Sequence, residues 1–151
     1  MYLDIMSEIE AKEICSWEYE SEYSDYNLGG WDKCVYEKND ITKSDKREKE
    51  FFVAFDDSDK MIGFIRMSSI QSLSILGIGL RPQLCGRGLG GQVLTLAIEK
   101  SKETFPEKRV VLMVKPFNER GIKCYTKLGF KMMNRNFETG GEKYIIMQYG
   151  K

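Results

Sequence analysis

No histidine occurs anywhere in this chain. That single absence removes the commonest general base and the commonest metal ligand before any site is considered. Neither sign of charge is in excess: 23 Lys and Arg balance 23 Asp and Glu, for a formal net charge of zero. Nucleic-acid binders normally carry a basic surplus, so that class is not expected. The four cysteines, Cys15, Cys34, Cys85 and Cys124, lie far apart and form no C-x-x-C pair. Scattered free thiols fit a reducing cytoplasm better than a disulfide framework or a zinc site. The start, MYLDIMSEIEAKEICSW, is acidic where a signal peptide would be basic and then apolar, and no later run could span a bilayer. The expectation is a cytoplasmic, metal-free protein, monomer or homodimer, that engages neither nucleic acid nor membrane.

What is present suits one globular unit. The 151 residues are 42% hydrophobic and 30% charged, enough to bury a core without metal or disulfide staples. Residues 2–5 read as a short strand, and Ser7 with Glu10 has capping-box spacing, predicting a helix to about Ser16. The aromatic stretch SWEYESEYSDYNLGGWDKCVYE shows little periodicity. KNDITKSDKREKE, charged and mixed in sign, reads as a solvated loop or exposed helical turn. EFFVAF and MIGFIRMSS form a hairpin around DDSDK, and LSILGIGL is a third apolar strand. Leu89, Val93, Leu96, Ala97 and Lys100 recur at helical spacing, predicting a helix from Gly88 to about Thr104. RVVLMV suits a buried central strand, NERGIKCYTKL a short helix closed by Gly129, and FKMMNRNF and EKYIIMQY two final strands. The order is β-α-β-β-β-α-β-α-β-β, a mixed α/β domain.

The segment LRPQLCGRGLGG, residues 80–91, places four glycines and two arginines between a strand and a helix. Such density usually means close backbone approach to a ligand, often a phosphate. A nucleotide P-loop would need G-K-[ST], but Gln92 and Val93 follow Gly91. Gly86, Gly88 and Gly91 spell G-x-G-x-x-G literally, the only support for a nicotinamide oxidoreductase. That fingerprint needs its first glycine at the strand end and an acid about 20 residues on. Here a proline-containing connection intervenes, and RVVLMVK carries no carboxylate. A third reading fits better: helix N–H groups, the helix dipole and the Arg87 guanidinium together cradle a diphosphate. The alternative is a glycine turn that merely packs a helix tightly on a sheet.

IGLRPQLCGRGLGGQVLTLAIEKSKE followed by VLMVKPFNERGIKCYTKLGF resembles the core of the GNAT superfamily of acyl-CoA-dependent N-acyltransferases. That family shows a strand, a [QR]-x-x-G-x-[GA] loop opening a helix, then a strand ending near an asparagine. A tyrosine follows seven residues later, and then Leu-Gly-Phe. Here these are Asn118, Tyr125 and Leu128-Gly129-Phe130. The resemblance covers residues 51–149 in element order and 73–130 in motif detail. It implies a mixed, mostly antiparallel twisted sheet of six to seven strands flanked by helices. Within one domain, 1–151, it implies a variable acceptor-side segment, 1–50, and an acyl-CoA-binding core, 51–149.

The resemblance also implies roles. Ile78, Gly79 and Leu80 would run beside the pantetheine arm of acetyl-CoA as an added strand would. Cys85, Gly86, Arg87, Gly88, Leu89, Gly90 and Gly91 would hold its diphosphate. Asn118 would bind the pantetheine or cap its helix, and one residue can do both. Tyr125, on the same helix face as Asn118, would give a proton to the departing thiolate; otherwise it is a core tyrosine. The activity implied is N-acetyl transfer to a primary amine by direct attack, with an oxyanion met by a backbone N–H near Leu80. A non-catalytic acyl-CoA-binding sensor or interaction module is the alternative.

The sequence departs from the family pattern in two ways. Cys85 stands at the [QR] position, as a small loop residue or a reactive thiol. Both usual positions of a glutamate base hold other residues, Met113 and, in the preceding strand, Ser74. Glu22, Asp25 and Asp32 are base candidates by composition only. Trp17, Tyr19, Tyr23, Tyr26 and Trp31 either line the acceptor site or complete the core.

Overall fold

The computed structural model describes residues 1–150, with the backbone alone at 134 and 135. The strands are β1 (Tyr2–Ile5), β2 (Phe51–Phe55), β3 (Met61–Ile70), β4 (Leu73–Leu80), β5 (Arg109–Val114), β6 (Phe130–Thr139) and β7 (Glu142–Tyr149). They form one seven-stranded sheet in the order β1-β2-β3-β4-β5-β7-β6. Every neighbouring pair is antiparallel except β4 with β5, which are parallel. The parallel pair arises because a helical crossover, α4 (Leu89–Thr104), joins these strands.

Period-two alternation gives each face of the sheet its own core. In β2, Phe52 and Ala54 join α4, with Leu76, Val110, Leu112, Phe130 and Met147, on one face. Phe51 and Val53 point to the other face, where α1 (Glu8–Cys15) and α2 (Trp31–Tyr36) supply Ile14, Cys15 and Cys34. The α4 stripe is Val93, Leu94, Ala97, Ile98 and Ser101, all buried, at helical spacing. Ser7 caps α1 as its spacing predicts: Ser7 Oγ accepts from the Glu10 N–H, and Glu10 Oε1 accepts from the Ser7 N–H at 2.9 Å.

Two segments hold more structure than their sequence signals. Of the two readings of residues 38–50, solvated loop or exposed helical turn, the second half follows the helical one as α3 (Ser44–Glu50), but with Arg47 buried. Arg47 Nη1 donates to the Ile41 carbonyl at 3.0 Å, which ties α3 to the preceding 3-10 turn, and Glu50 takes Arg66 of β3 at 2.8 Å, which ties it to the sheet. The aromatic stretch is structured too, as a 3-10 turn at Ser21–Tyr26 followed by α2. Its packing partners lie far away in sequence, so local periodicity carries no trace of them.

Ser74 in β4 and Ser101 in α4 are fully buried and share a hydrogen bond of 2.6 Å. Ser101→Ala leaves the Ser74 hydroxyl stranded in the core. The expected loss is about 1–3 kcal/mol of unfolding free energy, read from urea denaturation. A loss near zero would mean that Ser74 has another acceptor.

Candidate active site

The strands β4 and β5 part company halfway along. Their ladder runs from Leu73 opposite Arg109 to Leu76 opposite Leu112 and then stops. β4 nevertheless continues to Leu80 beside β3, and β5 to Val114 beside β7. A wedge therefore opens in the sheet, with a half-strand of unpaired backbone on its β4 wall. The Arg109 N–H donates to Ser72 and the Arg81 N–H to Ile62, which sets the alternation along β4. Ile78 and Leu80 thus turn their N–H and C=O groups into the wedge, while Gly79 pairs toward β3 opposite Phe64. Gly79 is glycine for a packing reason, since a Cβ there would overlap the Phe64 ring.

Beyond Leu80 the chain makes a 3-10 turn at Pro82–Leu84 and reaches the glycine loop. Gly86 and Gly88 both have left-handed backbones, at φ +79° and +78°, and a Cβ on either would meet nothing within 4 Å. Conformation, and not space, calls for glycine at these two positions. Gly88 is the N-cap of α4, which starts at Leu89, one residue later than its periodicity suggests. Among the described residues no side chain caps that helix, so its first N–H groups are left facing the loop. Gly90 and Gly91 differ from them: neither has a left-handed backbone, and a Cβ would make only ordinary contacts, 3.5 Å from Leu80 and 3.9 Å from Leu128. Arg87 is exposed at the loop's tip. Cys85 is half-buried, and burial pushes its thiol up against the opposing influence of Arg120. It stays a protonated small residue, with Sγ 3.8 Å from the Arg81 carbonyl oxygen.

The helix α5 (Glu119–Lys127) forms the opposite wall. Asn118 caps it: Oδ1 accepts from the Gly121 N–H at 2.9 Å, and a Cβ at residue 121 would press on Asn118 at 2.6 Å. Asn118 Nδ2 donates to the Tyr26 hydroxyl at 3.1 Å, so both ends of the carboxamide are engaged. Tyr125 lies nearly two turns on, against Phe130 in an edge-on contact at 6.3 Å. Burial, with smaller contributions from Cys124 and Tyr26, raises its phenol above the ordinary value. It is a protonated hydroxyl at any neutral pH.

The aromatic N-terminal segment divides between its two expected roles. Trp17 is buried in the core beneath α1, and Trp31 packs against that core. Tyr19, Tyr23 and Tyr26 instead cross the mouth of the wedge. The Tyr19 hydroxyl donates to the Leu80 carbonyl at 2.6 Å, on the free edge of β4. Tyr23 and Tyr26 pack on Phe117 at 5.9 and 5.7 Å, and Arg120 lies over the Tyr23 ring at 4.2 Å. Beneath Tyr26, Lys115 is buried between Asp25 and Glu142 and lies 5.2 Å from the Tyr26 ring centre. Burial alone would lower Lys115, but the hydrogen bonds to Asp25 and Glu142 outweigh it and raise the ammonium.

The base candidates fare unevenly. Asp25 is committed to Lys115, Asp32 is exposed on α2, and Glu22 lines a cleft of about 470 Å³ with Glu18, Glu20, Tyr23, Cys85 and Arg120. Ser74 is buried in its bond to Ser101, and Met113 is an exposed thioether. Lys115 and Arg120 had no place in the sequence reading. Their partners Asp25 and Tyr23 lie 90 residues or more away, and nothing in their own neighbourhoods signals them.

Comparison with known proteins agrees with this geometry. The acetyltransferase (GNAT) family matches residues 11–130. Mycothiol acetyltransferase of Mycolicibacterium vanbaalenii is 28% identical over 116 residues, 70% of this chain and 37% of that protein. The Corynebacterium efficiens protein of the same name is 28% identical over 114 residues, 72% of this chain and 36% of its own. The chain thus spans little more than a third of these relatives. Among solved structures, a Vibrio cholerae spermidine N-acetyltransferase chimera superposes with a TM-score of 0.76 at 18% identity, covering 98% of this chain and 93% of that one. The aminoglycoside acetyltransferase AAC(6')-Ib, in complex with coenzyme A, gives 0.76 at 16% identity over 99% and 94%. These likenesses establish a shared fold. With the family match running from α1 through the glycine loop to the start of β6, the chain belongs to the GNAT acetyltransferase family.

Proposed function

We propose that this protein moves an acetyl group from acetyl-CoA to a primary amine by direct attack. The observation that carries the reading is the wedge: a half-strand with no partner strand at Ile78 and Leu80, its Leu80 carbonyl held by Tyr19, ends at a left-handed glycine loop and a helix N-terminus without a side-chain cap. That combination suits a ligand with an amide-bearing arm and a diphosphate, which is what coenzyme A offers.

Acetyl-CoA supplies the activated acetyl thioester. Ile78 pairs with the arm through its N–H and C=O and Leu80 through its N–H, the Leu80 carbonyl being held by Tyr19, and Gly79 keeps β3 and β4 close enough to hold that edge straight. Gly86 to Gly91, including Leu89, offer N–H groups to the diphosphate, and exposed Arg87 adds charge beside it. The N–H near Leu80 meets the developing oxyanion. As the C–N bond forms and the C–S bond breaks, Tyr125 presents its hydroxyl to the departing sulfur. The amine's proton passes to solvent, since the side chains at both usual base positions cannot accept it. Asn118 fixes the start of α5 and so the position of Tyr125. The acceptor, a small molecule or a peptide, approaches past Tyr19, Tyr23 and the Glu18–Glu22 cleft. Free cysteines and the lack, among the described residues, of a helix able to cross a membrane suit a cytoplasmic protein working as monomer or homodimer.

A non-catalytic acyl-CoA sensor is the second reading, favoured by Ser74 and Met113 where a base would stand. A thermal-shift titration with acetyl-CoA, CoA, NADH and ATP tests the shared part of both. At one hundred times its Kd a ligand stabilises the fold by about 2.7 kcal/mol. Acetyl-CoA and CoA are expected to raise Tm while NADH and ATP do not. A flat response to both CoA forms counts against either reading. Release of free thiol in the presence of an amine then separates enzyme from sensor.

A further inference from the structure

The N-terminal segment touches both walls of the wedge, at Leu80 through Tyr19 and at Asn118 through Tyr26. The second contact is the more consequential. A carboxamide has one accepting and one donating end, and α5 uses the accepting end for its cap on Gly121. Its donating end must then point away from the helix, where the Tyr26 oxygen receives it at 3.1 Å. Tyr26 is itself held from two sides: by Phe117 at 5.7 Å between ring centres and by the Lys115 ammonium at 5.2 Å. Lys115 is clamped in turn by Asp25, the neighbour of Tyr26, and by Glu142 at the start of β7. The helix so anchored has only nine residues, too few to be stable without its cap and its packing.

We propose that Tyr26 is a positioning residue for the transfer site: by accepting from Asn118 it fixes the carboxamide that caps α5, and thereby the height and rotation at which Tyr125 is presented. The proposal rests on the transferase reading above. It gives the N-terminal segment a part in aligning the leaving-group side of the site as well as in meeting the acceptor. The link to Tyr125 has a second mark, because an ionised Tyr26 would oppose ionisation of Tyr125, which puts the two phenols in one electrostatic neighbourhood.

Tyr26→Phe tests this with little disturbance, since the ring, its contact with Phe117 and the cation above it remain. Two measurements are made on the full chain. The first is the pair of Asn118 side-chain amide signals in ¹⁵N–¹H spectra, assigned with Asn118→Asp. The second is steady-state transfer from acetyl-CoA to spermidine, ribostamycin and a peptide with a free α-amino group, followed by thiol release. The Asn118 signals are expected to move to solvent-exposed values. kcat should fall at least fivefold, with acceptor KM and acetyl-CoA Kd each within threefold and Tm within about 2 °C. Unmoved Asn118 signals overturn the proposal, and so do moved signals with kcat intact. A fall in kcat matched by an equal loss of Tm also overturns it, as a purely structural effect. Wild-type protein inactive on every amine would count against the transferase reading, while the Asn118 signals would still accept or reject the Tyr26 contact.

Discussion

Gly88→Val is expected to abolish acetyl-CoA binding while leaving a folded protein. Gly88 sits at φ +78°, ψ 1°, as the N-cap of α4. A left-handed backbone costs a residue with a Cβ about 1–2 kcal/mol, and a β-branched residue more. A Cβ there meets no atom within 4 Å, so the substitution causes no collision and the core under α4 is untouched. The strain has one cheap release, rotation of the loop toward negative φ. That rotation redirects the loop N–H groups that the proposed site offers to the diphosphate. Each hydrogen bond to a charged oxygen is worth about 1.5–3 kcal/mol, so losing two weakens binding by about a hundredfold or more. Isothermal titration with acetyl-CoA reads the loss, and circular dichroism checks the fold. Gly88→Asn is the discriminating companion, since asparagine tolerates the left-handed region and should keep more of the affinity. Normal affinity in the valine variant would reduce the glycine loop to a packing turn.

The fold was largely legible because its signals are local. The apolar strand-length runs LSILGIGL and MIGFIRMSS set β4 and β3 to within a residue, and Ser7 with Glu10 marked the start of α1. The glycine loop was legible as a strand-to-helix turn, but its glycines were not separable by role. Left-handed angles at 86 and 88 demand glycine, whereas 90 and 91 have ordinary backbone and room for a Cβ, and the two pairs look alike in one-letter code. Gly79 misled for a related reason: its lack of a side chain serves Phe64 across the β3–β4 ladder, and its backbone pairs away from the wedge. Residues 16–50 were the least legible. Tyr19, Asp25 and Tyr26 act through Leu80, Lys115 and Asn118, which lie 61, 90 and 92 residues away. A polar contact across that span leaves no periodicity, and a tyrosine at a wedge mouth reads the same as one in a core. The buried ammonium of Lys115 was equally silent, since KPFN looks like any loop after a strand.

Tyr125→Phe is expected to lower kcat by about ten- to a hundredfold with acetyl-CoA Kd within threefold. Phenylalanine keeps the edge-on contact with Phe130 and the packing beside Ile122 and Leu128, so only a hydroxyl is lost. The size of the effect follows from what that hydroxyl can do. Burial raises the phenol above its ordinary pKa of about 10, whereas an ordinary thiol ionises near 8.5. Complete proton transfer from Tyr125 to the departing sulfur is therefore uphill unless the sulfur is buried as well. A hydrogen bond to the developing thiolate is not, and at about 1.5–3 kcal/mol it is worth roughly ten- to a hundredfold in rate. The sign of the pH dependence follows too. A donor whose pKa is raised stays protonated as pH climbs, so Tyr125 should impose no falling limb on kcat below about pH 10. The wild-type rate should instead rise with pH as the acceptor amine loses its proton, and the phenylalanine variant should rise in parallel. A falling limb below pH 9 in the wild type, absent from the variant, would mean that Tyr125 ionises within the working range. Its hydroxyl would then be better solvated than its packing against Phe130 allows. An unchanged kcat would assign the tyrosine to the core and leave the thiolate to depart unaided.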